Sequence, residues 1–184
     1  HIERLELEQA GANLDEAEAL ARRVGSQSAS GKIDRARGYL QQTRGDLDLG
    51  RQSYLAGLEK ARRAGVPLEI GNFLWHLAWL ELDADRPVEA ARFASEAIET
   101  FRGAGDPRSV ASTEPVLAWS DARRGDAASA RRRLTALRQA AETGSGASDF
   151  VLLTAEARVA EALGEWRQAV KLRRQTIAMA SAWN

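Results

Sequence analysis

The feature that most constrains this chain is a repeat that returns every 40 residues along nearly all of its 184. Arg22-Arg23-Val24-Gly25 comes back as Arg62-Arg63-Ala64-Gly65 and, more loosely, as Phe101-Arg102-Gly103-Ala104-Gly105. The closing glycines Gly25, Gly65 and Gly105 are spaced 40 and 40, and the small residues Ala10, Gly50, Ala90, Ala130 and Ala169 are spaced 40, 40, 40 and 39. A period of this length marks a stacked array. No single unit buries its own apolar face, and the core is a continuous seam between neighbours.

Punctuation inside the period gives the unit. Pro67 and Pro107 follow their glycines by two residues, a helix stop and restart. A weaker break falls at Gly45-Asp46, Asp85-Arg86-Pro87, Gly125-Asp126 and Gly164-Glu165. The segments between breaks are of ordinary helix length, roughly 14 to 20 residues. Tyr54, Gly57, Leu58 and Ala61 recur at helical spacing, as do Ala90, Ala94, Ala97 and Ile98, and then Leu134, Leu137 and Ala141. The alternate helices carry the bulk, in Phe73, Trp75, Leu77, Trp79 and Leu80 and again in Val116, Leu117 and Trp119. Sustained period-two alternation is missing, so the expected fold is all-α, a solenoid of about nine helices in antiparallel pairs. One domain is expected over 1–184: an unpaired second helix at 1–25, then pairs at 28–65, 68–105, 107–144 and 147–184. Ile33, Ala36 and Leu40 are the expected core face of one first helix, although Asp34 and Arg37 fit that face poorly.

Composition removes several classes of function. Lys+Arg and Asp+Glu are both 26, so the chain lacks the basic excess that a general nucleic-acid or anionic-membrane binder needs to displace counterions. It has no cysteine, which excludes disulfides, thiol catalysis and thiolate metal sites. The most apolar stretch, Phe73 to Leu82, contains His76 and Glu81 and falls well short of the ~20 residues of a membrane span. The histidines are His1 and His76, and there is no HExxH, phosphate-binding loop or serine elbow. Gly144-Ser145-Gly146 reads as a linker, since no lysine or helix-entry pattern follows it. No catalytic residue, metal site or cofactor is expected. The charged run from Ile2 to Glu8 is not a signal peptide, and the chain begins with His1 halfway through a unit. The start reads as a fragment of a larger protein, so the missing targeting segment does not fix the compartment of the parent; the expectation is cytoplasmic.

The pairs resemble tetratricopeptide repeats. That family places a small residue midway along its first helix, glycine in the turn, alanine early in the second helix, and another small residue two turns on. Gly38, Ala78, Ala118 and Ala157 match the first position, each twelve before its second-helix partner. Gly45, Gly125 and Gly164 match the turn, with Asp85 replacing glycine once. Ala17, Gly57 and Ala97 match the late position, while Leu137 and Thr176 depart from it. Units of 40 residues, longer than the usual tetratricopeptide repeat, resemble those of bacterial signalling and transcription-regulatory proteins. The resemblance implies a right-handed superhelix whose first helices line a concave groove that binds a peptide or protein segment.

Mapped onto that groove, Tyr39, Trp79 and Trp119 fall at equivalent sites in three successive repeats, and Arg158 takes that site in the fourth. Trp75 lies one turn before Trp79, with His76 beside it and Asn72 one turn earlier again. These residues suggest an aromatic ladder for a partner, because Trp and Tyr supply contact area at protein interfaces. The alternative is that some of them fill the seam between long helices. Arg123 and Arg158 are placed to hold a partner's carboxylate by paired hydrogen bonds. The lysine and asparagine pattern of the family's carboxylate clamp is not reproduced; Lys32 and Asn72 are isolated matches. The clusters Arg123-Arg124, Arg131-Arg132-Arg133 and Arg173-Arg174 read as ordinary surface charge. The expected function is a non-catalytic protein-interaction scaffold. One alternative is a small-ligand sensory module walled by Trp75, His76, Trp79 and Trp119. Another is self-assembly into a homo-oligomer through the terminal helices, where Val170, Ile177, Met179 and Trp183 offer an apolar face.

Overall fold

The computed structural model describes residues 2–143 and 148–181, with the side chains of residues 2–5, 27 and 28 outside the description. Nine helices are present among the described residues. They are α1 (Ile2–Val24), α2 (Gln27–Arg44), α3 (Leu47–Ala64), α4 (Pro67–Asp83), α5 (Pro87–Gly103), α6 (Pro107–Arg123), α7 (Ala127–Glu142), α8 (Asp149–Ala162) and α9 (Trp166–Ser181). Each helix packs on the next, and every even-numbered helix from α2 onward also touches the following even one. The molecule is therefore an all-α solenoid of helix pairs.

The breaks read from the sequence are helix ends. At Gly45 the backbone turns left-handed, with φ 85°, and its N–H and that of Asp46 close on the last carbonyls of α2, those of Gln42 and Gln41. Asp85 takes the same left-handed conformation with φ 56°, the one non-glycine to do so among the described residues. Pro67, Pro87 and Pro107 each open a helix, where a missing N–H is harmless. Ser26, Asp106 and Asp126 cap the helices after them by accepting from the backbone N–H of Ala29, Ser109 and Ser129.

Small residues set how closely the helices approach. Ala78, Ala90, Ala118, Ala130 and Ala157 are fully buried. Gly50 packs so tightly on α2 that a Cβ there would lie 3.1 Å from the Gly38 carbonyl oxygen. A Cβ on Gly38 would overlap the Tyr54 ring, and one on Gly57 would overlap Phe73. One face differs from expectation. In α2 Ile33 and Leu40 are buried but Ala36 is exposed. Asp34 and Arg37 sit at the flanks of that face, where Asp34 pairs with Lys60 at 2.7 Å and Arg37 with Glu18 at 2.8 Å. Those partners come from α3 and α1, so the poor fit is resolved by charges on neighbouring helices.

No described helix is long and apolar enough to cross a membrane.

Candidate functional site

Four first-helix residues meet in one connected group. Trp75 and Trp79 are one turn apart on α4, with ring centroids 6.2 Å apart and edge-to-face. Trp79 reaches Trp119 of α6 at 5.7 Å. The Arg158 guanidinium of α8 lies 4.3 Å from the centroid of the Trp119 ring and 5.1 Å from that of Trp79. His76 joins the other end. It stacks on Tyr54 at 5.0 Å and meets Trp75 edge-on at 4.8 Å.

These residues differ in how much they offer a partner. Trp119 is buried, 9% exposed, so its ring is largely packing. Trp75, Trp79 and Arg158 are half-buried. Tyr39 is 60% exposed and makes no ring contact with the group. It is Tyr54 that stacks on His76, and its hydroxyl donates to Gln42 Oε1 at 3.2 Å. Asn72 is half-buried and makes no side-chain hydrogen bond among the described residues.

The Trp75 indole N–H donates to the Ser112 carbonyl of α6 at 3.4 Å. Pro115 sits inside α6 three residues on, where its ring cannot supply the N–H that would bond to Ala111.

Burial, with the Arg35 cation nearby, holds the His76 imidazole down to about 4, so it is neutral near pH 7. Enclosed between Tyr54 and Trp75, it is a poor candidate for moving a proton to a ligand. Burial raises the Tyr54 phenol in the same way. Burial also pulls the Arg158 guanidinium below its usual value, helped by Arg173.

The two candidate carboxylate holders part company. Arg123 donates to Asp85, so its charge is already matched within the array. Arg158 makes no ion pair among the described residues. Glu161 is held by Arg173 at 2.8 and 3.0 Å, and Asp83 accepts from Gln42 at 2.6 Å. The Arg158 Nε and Trp79 Nε1 donors are buried and have no acceptor among the described residues.

The arginine clusters are more than surface charge. Arg133 donates to the nearly buried Asp121 at 2.7 Å and Arg124 to the same carboxylate at 2.6 Å, while Arg131 pairs with Glu165. A set of clasps emerges that the sequence reading missed. Gln41 to Ser53, Asp121 to Arg133 and Glu161 to Arg173 all join a first helix to its own second helix across twelve residues. Glu81, the fourth member of that series by position, is fully buried and held by Arg51 at 2.6 Å and Arg86 at 3.2 Å. It lies in the last turn of α4, and the position twelve residues on is Phe93, so its cations come from Arg51 and Arg86 instead. The signal was available as the spacing of 41, 81, 121 and 161.

Two clefts lie elsewhere. One of about 880 Å³ sits between α2, α3 and α4, lined by residues such as Gly31, Lys60, Val66 and Phe73. The other, about 340 Å³, lies among α7, α8 and α9. Neither is walled by the tryptophans. Among the described residues no group of three or more His, Cys, Asp or Glu side chains could hold a metal ion.

Compared with known proteins, the chain matches no family model and no curated protein. Its fold is similar to the crystal structure of BtubC (BKLC) from P. vanneervenii, with a TM-score of 0.64 and 19% identity over 96% of this chain and 76% of that one. At that identity the likeness is one of fold.

Proposed function

We propose that this chain is a non-catalytic protein-interaction scaffold of the tetratricopeptide-repeat type, part of a larger bacterial regulatory or signalling protein. A partner segment lies along the first-helix face, against Trp75, Trp79 and the exposed Tyr39. Arg158 receives an acidic group of that segment. The observation that carries this reading is the state of Arg158: a half-buried cation resting on two indoles, with no carboxylate of its own among the described residues. A desolvated guanidinium held in place by aromatic faces is prepared for bidentate pairing, and little ordering entropy is lost when it binds.

Selection of dodecapeptides on the immobilised protein tests this. Enriched sequences should carry an Asp, a Glu or a terminal carboxylate beside apolar residues. Their affinity should fall about 10- to 100-fold in Arg158→Gln, the loss expected for a charge-assisted hydrogen-bonded pair, and stay unchanged in Arg123→Gln. Peptides with no acidic bias, or an Arg158→Gln protein that binds as well as the native chain, would rule the reading out.

Self-association is a second reading with its own observation. Trp166, Val170 and Ile177 are 66%, 52% and 64% exposed along one side of α9, while Met179 is half-buried and Trp183 lies outside the described residues. Sedimentation velocity on native protein and on Ile177→Glu decides it: a concentration-dependent mass lost in the variant supports it, and a monomer throughout removes it.

A further inference from the structure

The seam between α7 and α8 departs from the two before it at two adjacent positions. Leu58 of α3 and Ile98 of α5 are buried, 2% and 5% exposed. Forty residues further on stands Arg138, whose side chain is 60% exposed and reaches over to Glu156 of α8. The register begins at Glu18 and ends at the exposed Ile177, so among the interior repeats Arg138 stands where Leu58 and Ile98 are buried. The residue before it changes as well. Gly57 and Ala97 are small, but Leu137 is large and only 6% exposed. A small-then-branched pair has become branched-then-charged. Neighbouring positions on a helix point about 100° apart, so the bulk that plugs the earlier seams is turned away from this one.

A cavity of about 340 Å³ lies where the plug would be. Leu134, Val159, Leu163 and Leu172 line it, as do both members of two ion pairs, Arg138 with Glu156 and Arg131 with Glu165. The volume falls at the lower end of the roughly 300 to 1,000 Å³ of small-molecule sites, and the lining is mixed, five apolar residues beside six polar or charged ones. We propose that this cavity binds a small molecule carrying a branched aliphatic group the size of a leucine or isoleucine side chain. The fold itself supplies the template, since it fills the same place with Leu58 and Ile98 in the two preceding repeats. The polar end of the ligand lies beside Thr135, Gln168 and the two ion pairs. The site is separate from the first-helix aromatic group and does not depend on the scaffold reading.

The test uses 4-methylpentan-1-ol as probe, titrated into the whole chain while the methyl resonances of Leu134, Val159, Leu163 and Leu172 are followed by NMR. Saturable shifts are expected with a Kd on the order of millimolar, as suits a ligand of so few heavy atoms. Arg138→Leu restores the plug and should weaken binding at least about tenfold, while lowering the Tm because the buried Glu156 loses its cation. Arg138→Gln removes the charge but leaves the cavity, and should bind as the native chain does. Leu163→Phe narrows the cavity from the opposite wall and should weaken binding without touching Arg138. The proposal fails if the native protein gives no saturable shift, if Arg138→Leu binds undiminished, or if Arg138→Gln loses binding as fully as Arg138→Leu.

Discussion

A glycine and a phenylalanine on successive helices show how single residues set this fold. The Phe73 ring of α4 packs onto Gly57 of α3, so any Cβ at 57 would have to displace a fully buried ring. Gly57→Ala should destabilise the protein by about 1–3 kcal/mol despite its better helix propensity, because overpacking outweighs the smaller propensity gain. Urea unfolding measures this; a stabilised variant would show that the ring moves freely. His76 yields a pH prediction. Its folded pKa, near 4, lies below the ordinary value of 6.5, so the unfolded chain binds the extra proton first. The stability it contributes is fully present above pH 6.5 and is lost as pH falls toward 4, about 3 kcal/mol in all. His76→Gln should flatten that part of the stability profile between pH 7 and 4, and an unchanged slope would mean that other groups govern it. Small residues such as Gly38 and Gly50 were legible in the sequence because smallness is a property of the residue alone. Which tyrosine joins the aromatic group was not. Tyr39 matches the register of Trp79 and Trp119, but Tyr54 is the ring that helix packing brings onto His76.

Helices in this array are joined by apolar seams and, across them, by charge. Arg51 of α3 and Arg86 between α4 and α5 converge on Glu81, which has no exposure to water. Arg51→Met should therefore cost about 2–4 kcal/mol, chiefly by leaving a buried carboxylate half compensated. Replacing Glu81 by Gln in the same background should recover part of that loss. If Arg51→Met is neutral by thermal and urea unfolding, the pair does not hold α3 to α4. Helix existence, pairing and the turn positions were legible because periodicity and Gly/Pro punctuation are local signals. The spacing of 41, 81, 121 and 161 marks one side of the clasps, but their partners twelve or thirty residues away are fixed only once the helices have packed. The same reason separates Arg123 from Arg158. Both occupy first helices and look alike in sequence, yet Arg123 pairs with Asp85 while Arg158 makes no ion pair among the described residues, Asp83 and Glu161 acting on it only at longer range.

Across the whole molecule the core is densest in the middle. Phe73, Leu74, Leu77, Ala90, Ala94 and Val116 are wholly or almost wholly buried, whereas α1 and α9 each present a side to solvent. A one-dimensional array of this kind opens from its ends. Amide hydrogen exchange should show the strongest protection in α4, α5 and α6, with α1 and α9 exchanging by local opening; uniform protection would indicate a single cooperative unit. The 40-residue period that organises the sequence thus accounts for both the seams and the places where they fail, at Arg138 and along the first-helix face. The most direct test of the account concerns that face. Calorimetric titration of one selected acidic peptide, and of the same peptide with its acid amidated, into native protein and Arg158→Gln forms a closed double-mutant cycle. The account predicts that either change weakens binding about 10- to 100-fold and that both together cost little more than one. Independent, additive losses, or none, would contradict it.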